Sequence, residues 1–272
     1  MTTKFLLQCG GSPMGMSYWS SVLPCPRAHW FRYREHEYVP RWGKPGTDKP
    51  EPLMTGTLVH AHLEILAEGV AENRPEFIDA LTGEPLAGFG LEVAEARRIF
   101  EQYFKLVGFD EGVSDWQLES LLEDKSGDLG VPWITSRVDG AASWAGGILN
   151  QSNGLYLNPG RYLWEHKTAS KKSEHLFQEH RVQVQVNCEL WNKQHPDQKV
   201  LGGILNNIIK TKEVKVERIF IPLMDDVARE NITKSLRFVY EIHEKFGDQM
   251  VATKNTCTGD WSPCAYYERC WS

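Results

Sequence analysis

The sequence predicts an α/β fold in which a mixed central sheet is flanked by helices. Three observations predict it: two segments of helical period near the start, a block of strand-type segments from Trp116 onward, and an alternation of strand and helix patterns after Arg161. A chain of 272 residues with 41% hydrophobic content can bury a sizeable core.

SYWSSVLPCPRAHWFRYRE reads as a helix interrupted by Pro24 and Pro26, and RWGKPGTDKPEP as a Pro/Gly-rich loop. Thr55 or Thr57 would cap the helix TGTLVHAHLEILAEGVAEN, where Leu58, Leu63, Leu66 and Val70 recur at roughly helical spacing. A second helix is expected over 91–107, with Leu91, Ala94, Ile99, Tyr103 and Leu106 as its apolar face. Two helices therefore precede the first expected strands.

WQLESLLE and VPWITSRVDGAASW, separated by DKSGDLG, read as a hairpin. A Gly/Asn/Pro-rich loop over 146–160 leads to the strand RYLWEHKT, and a helix is expected over 173–194. KVLGGILNNIIK and EVKVERIFIP follow as strands, and a last helix covers 225–246.

The formal net charge of −6 excludes bulk electrostatic attraction to nucleic acid, so any such site must be local. No apolar run approaches membrane-spanning length, and a soluble, cytoplasmic protein with no membrane partner is expected. There is no internal repeat and no GKS or GKT phosphate loop.

Within WEHK, Glu165 and Lys167 stand at i and i+2 of a strand and share one face, while His166 points away. By itself a Glu-x-Lys is an ordinary ion pair. Asp139 in SRVDG ends the preceding strand, however, and a strand–loop–strand connection brings it beside Glu165. Two converging carboxylates and a lysine suit a hard divalent cation, with the lysine near an attacking water.

SRVDG followed by WEHK resembles the Asp and Glu-x-Lys of the PD-(D/E)XK nuclease superfamily, and the surrounding helices resemble its RecB-type branch. GTLVH matches that branch's Gly-x-x-x-His helix with Gly56 and His60, and HRVQVQVNCELW matches its glutamine helix with Gln183 or Gln185. The resemblance implies a restriction-endonuclease-like core and a Mg²⁺- or Mn²⁺-dependent deoxyribonuclease. His60, Asp139, Glu165 and the backbone carbonyl of His166 would be its metal ligands, Lys167 its catalytic lysine, and Gln183 or Gln185 its positioning glutamine. The sequence departs from the family in lacking a Pro-Asp before the core. It also carries Asn187 or Glu189 where an aromatic residue is usual. His60 and His62 lie about 200° apart on a helix, so only one can face the ion.

Of six cysteines, Cys9 and Cys188 stand alone, Cys25 lies early, and Cys257, Cys264 and Cys270 crowd the end. Such thiols suit a buried cluster of inert groups, a zinc site or an iron–sulfur site, although the late spacings of six and five residues are not those of zinc knuckles. One cysteine before the core and three after it resembles the iron–sulfur members of the branch: AddB-type nucleases, CRISPR-associated RecB-like exonucleases and phage relatives. That resemblance implies a structural 4Fe–4S cluster on Cys25, Cys257, Cys264 and Cys270. It implies one nuclease domain over 1–272, with an N-terminal segment 1–54, a core 55–250 and a cysteine tail 251–272 joined to the start at the cluster.

Arg27, Arg32 and Arg34 among Trp30, Phe31 and Tyr33, with Lys171 and Lys172 after the active strand, are the expected DNA contacts. Lys210, Lys212, Lys215 and Arg218 extend that set, or guard a hairpin edge. The expected function is exonucleolytic hydrolysis at DNA ends or single strands, in repair, recombination or phage DNA processing. A helicase, recombinase or single-strand-binding protein is the expected protein partner, and the setting a bacterial or phage-infected cell. The alternative is a catalytically silent DNA-binding scaffold subunit that keeps the fold and the cluster.

Overall fold

A computed structural model describes residues 4–7, 14–16, 18–19, 52–67, 76–79, 90–107, 112–150, 154–170 and 174–246. The chain divides into two compact units: Met1–Gly10, Trp42–Leu122 and Val138–Leu223 form the first, and Gly11–Arg41, Glu123–Arg137 and Met224–Ser272 the second.

Among the described residues the strands are β1 (Lys4–Leu7), β2 (Glu76–Asp79), β3 (Val113–Asp124), β4 (Ile134–Trp144), β5 (Gly147–Asn150), β6 (Leu155–Leu157), β7 (Gly160–Ala169), β8 (Gly202–Ile209) and β9 (Lys215–Pro222). The helices are α1 (Pro52–Ala67), α2 (Gly90–Val107), α3 (Glu174–Gln194) and α4 (Asp226–Phe246). The principal sheet has the order β3-β4-β7-β8-β9. It is mixed: β4 runs antiparallel to β7, β7 parallel to β8, and β8 antiparallel to β9. The parallel step requires a crossover, which α3 supplies.

Strand alternation divides the first unit into two layers. Even-numbered residues of β7, β8 and β9 face one side, where α1 and α2 cover one end through Met54, Leu58, Ile99, Tyr103, Ile208 and Val214. At the other end of this face the small hairpin β5–β6 packs Leu149 and Leu157 against Trp164, Tyr162 and Ile204. Odd-numbered residues face α3. Gly203 of β8 makes that approach close, because a Cβ there would stand 2.1 Å from Val184 Cγ1.

Several sequence expectations shift. The strands β1 and β2, a parallel pair, come before or between the first helices rather than after them. α1 starts at Pro52, so Thr55 and Thr57 lie inside the helix and do not cap it. Proline suits a first helical position because its missing N–H has no acceptor there in any case. The apolar face of α2 is Ala96, Ile99 and Tyr103, whereas Leu91 and Leu106 are exposed, since the helix buries only the stripe that meets α1. The loop expected over 146–160 contains β5 and β6, because Leu149 and Leu157 can bury together.

In the second unit, Asp225 caps α4 by accepting the Ala228 N–H at 2.7 Å. Tyr18 Oη lies 3.0 Å from His243 Nε2 of that helix, and Trp19 meets the same imidazole edge-on. Gly130, at φ +85°, comes so near Thr233 that a Cβ would fall 2.3 Å from its carbonyl oxygen.

Gly56 sets how closely α1 lies on β7: a Cβ there would stand 2.6 Å from Thr168 Oγ1. Gly56→Leu should destabilise the protein by roughly 1–3 kcal/mol through overpacking. Urea unfolding of the variant and wild type measures it, with the midpoint expected to fall.

Candidate active site

The antiparallel ladder between β4 and β7 runs from Trp144↔Gly160 to Gly140↔Trp164. One step further Asp139 and Glu165 would face each other, but there the ladder ends. The His166 N–H, which a continuing ladder would give to a carbonyl, donates instead to Asp139 Oδ2 at 2.6 Å. The carboxylate thus closes the gap that opens between the strands. Gly56 and His60 are one helical turn apart, so the close approach at Thr168 also lowers His60 onto the site. His60 Nδ1 stands 3.7 Å from the same Asp139 oxygen.

On the α3 side, Glu165 Oε1 accepts from Lys167 Nζ at 2.5 Å and from Gln183 Nε2 at 3.0 Å. Asn187 Nδ2, one turn along α3 from Gln183, lies 3.5 Å from Oε2. Gln185 sits some 200° around the helix from Gln183 and donates to the Pro222 carbonyl at 3.3 Å. Of the two candidate glutamines, Gln183 is therefore the one beside Glu165. His62 is likewise turned away from the carboxylates and stacks on Phe100 at 5.0 Å.

The two acids differ in environment. Glu165 is only 4% exposed, and burial, with the nearby Asp139 charge, pushes its carboxyl up to about 7 against the pull of Lys167. Burial acts the same way on Asp139, but His60, Lys167, His166 and the His166 N–H outweigh it and hold that carboxyl below the usual range. Burial pulls Lys167 down, yet Glu165 and Asp139 more than compensate, so the ammonium is held above its ordinary value. His60 is lowered by burial, and His166 is lowered to about 4 for the same reason. The result is an anion, a cation and a second acid poised near neutrality.

His166 points to the other face, as alternation requires. Its Nδ1 lies 2.8 Å from Asn206 Nδ2, which also reaches Tyr103 Oη at 3.0 Å. Arg218 is not a surface residue available to DNA: it is 2% exposed, donates to Asn206 Oδ1 and Tyr103 Oη, and stacks over Trp164 at 5.3 Å. The even-numbered register of β9 turns it inward beside Asn206. Sequence reasoning also missed Asn206 itself, although a polar residue at the period of Ile204 and Ile208 was a visible signal. Cys188 is fully buried in α3, and burial pushes its thiol up, which makes it unreactive.

Cys25, Cys257, Cys264 and Cys270, and the basic residues Arg27, Arg32, Arg34, Lys171 and Lys172, lie outside the described residues. Among the described residues no group of three His, Cys, Asp or Glu side chains converges as a metal cage. The donor set nonetheless fits a hard cation of the magnesium type, which takes one or two carboxylates and keeps several waters. None of the described helices is long and apolar enough to cross a membrane.

No family model and no curated protein matches this chain. Among solved structures, a Eubacterium rectale protein described as a candidate exonuclease is similar at 13% identity and a TM-score of 0.48, over 85% of this chain and 81% of that one. The protein SSO0001 is similar at 15% identity and a TM-score of 0.34, over 70% and 73% of the two chains.

Because Glu165 is raised from 4.5 to about 7, the folded protein holds a proton in that window which the unfolded chain has released. Its contribution to stability is full below the window and is lost as pH rises through it. In metal-free buffer, wild type should lose stability relative to Glu165→Gln between those limits, as calorimetric Tm values across the range would show.

Proposed function

We propose that the protein is a divalent-metal-dependent deoxyribonuclease acting as an exonuclease on DNA ends or single strands. The observation that supports this reading is the meeting of Asp139, Glu165 and Lys167 where β4 and β7 part, with Gln183 bracing the glutamate from α3. A surface Glu-x-Lys pair would need neither a nearly inaccessible glutamate nor a second carboxylate at the end of a ladder.

Asp139 and Glu165 would hold Mg²⁺ or Mn²⁺, with His60 and the His166 carbonyl as further donors. When bound, the ion supplies positive charge that polarises a phosphoryl oxygen and acidifies a water. The chain's own groups do the rest. Asp139, already ionised, keeps its place through the His166 N–H. Glu165 gives up its proton as the site fills, and Gln183 prevents the freed carboxylate from turning away. Lys167 retains its proton, so its work is to orient the attacking water and to neutralise charge gathering on the phosphate rather than to act as a base. Hydrolysis would then form the bond from the water oxygen to phosphorus and break the bond to the 3′-oxygen, with the proton lost by the water balanced, through solvent, by the one the 3′-oxygen gains, leaving a 3′-hydroxyl and a 5′-phosphate.

A 4Fe–4S cluster on Cys25, Cys257, Cys264 and Cys270 belongs to the same proposal, supported by the sequence order of those cysteines around the core. Hydrolysis needs no electron transfer, so its role would be structural. Anaerobically purified protein should contain about four irons per chain, a cluster's complement, and show visible absorption. Cys264→Ala should lose both, and a colourless zinc-loaded protein would refute the cluster.

End-labelled linear single- and double-stranded DNA, digested with Mg²⁺ or Mn²⁺, tests the activity. Lys167→Ala and Glu165→Ala, verified as folded, should each lower the rate by on the order of 100-fold or more. Mn²⁺ affinity should rise as pH increases through about 7, where Glu165 ionises. Folded wild type that binds DNA and cuts none of these substrates would replace the enzyme with a scaffold.

A further inference from the structure

A polar row crosses the sheet directly behind the carboxylates. His166 pairs in register with Asn206, and Asn206 with Arg218, so the three side chains lie side by side on β7, β8 and β9. Ile204 and Ile208 flank Asn206 on the same face of its strand, and both are fully buried. An apolar residue at 206 would continue that packing but would take the amide away from buried Arg218 and Tyr103, and removing one member of a buried polar set is costly. Only exchange of the whole row for apolar residues of similar shape is often neutral or stabilising. Stability alone therefore accounts for the amide beside Arg218 but not for the row as a whole.

The amide's orientation is determined by what surrounds it. A guanidinium has no acceptor, so the Asn206 atom that receives Arg218 Nε at 3.3 Å must be Oδ1. Nδ2 is then the atom facing Tyr103 Oη and His166 Nδ1, and its two hydrogens are divided between them. His166 Nδ1 must accept, which places the imidazole proton on Nε2. The backbone N–H of this same residue holds Asp139.

We propose that Arg218, Asn206 and Tyr103 are positioning residues for one member of the carboxylate pair: they fix the plane and tautomer of His166, and through its backbone the place of Asp139. Arg218 sets the amide, the amide sets the ring, and the ring anchors the strand segment whose N–H the carboxylate requires. Tyr103 brings α2 into the arrangement by accepting from both Asn206 and Arg218 at 3.0 and 3.2 Å. The claim about Asp139 rests on the metal-site reading above, whereas the claim about the ring does not.

The test is imidazole ¹⁵N NMR of the full chain at pH 8, with the His166 signals identified by their loss in His166→Gln. Wild type should show the proton on Nε2. Asn206→Asp keeps an acceptor for Arg218 but offers His166 no donor, so its tautomer should switch to Nδ1–H. Calorimetric titration with Mn²⁺ should show affinity about 10-fold weaker in that variant, as for loss of an outer-shell partner, with urea stability as the control for general damage. Nδ1–H in wild type, or an unswitched ring in Asn206→Asp, overturns the proposal. A switched ring with unchanged Mn²⁺ affinity overturns its positioning half. Wild type that binds no Mn²⁺ removes the metal-site reading and the Asp139 claim together, while the tautomer result still decides whether the row fixes the ring.

Discussion

The hydrogen bond from the His166 N–H to Asp139 Oδ2 is the contact on which the site depends. Antiparallel pairing ends at Gly140 and Trp164, and an N–H left open there would cost free energy if nothing received it. The carboxylate receives it and is thereby fixed at the point where the strands separate. One charge-assisted bond caps a ladder and also presents an anion beside Glu165. His60 from α1, Lys167 from β7 and Gln183 from α3 take their positions relative to that fixed point.

The two faces of the sheet divide the labour. The α3 face carries the groups that touch Glu165, and it is set close by Gly203, where Val184 of the helix packs onto the bare backbone of β8. Among the described residues the opposite face carries no second such cluster of acids. It is filled by packed apolar residues and by the row of Arg218, Asn206 and His166. Burial raises both acids and their company decides the outcome: Glu165, beside one ammonium and near one carboxylate, ends raised, whereas Asp139, among His60, Lys167 and His166, ends lowered. Opposite shifts in adjacent carboxyls are the arrangement that lets one remain an anion while the other exchanges a proton.

Much of this arrangement was legible in the residues. Periodicity located α2, α3 and α4 to within a residue at each end, and the alternation in WEHK placed Glu165 with Lys167 and apart from His166. What periodicity does not contain is tertiary choice. The buried stripe of α2 is decided by where α1 lies, so Leu91 and Leu106 remain outside although they fit the pattern. The selection between Gln183 and Gln185 depends on the rotation of α3 over β7, which spacing alone leaves open. Arg218 misled for a related reason: in a run of lysines it reads as surface charge, yet its strand register turns it inward against Trp164.

The order in which the site's parts occur along the chain has its own consequence. Glu165, Lys167 and Gln183 belong to the contiguous β7–α3–β8 unit, so they can meet by short-range closure alone. Asp139 and His60 come from distant segments, β4 and α1, and arrive only when those elements dock. Local closure alone therefore suffices to bring the lysine, its glutamate and their amide into register, whereas the second anion and its histidine depend on the docking of separate elements.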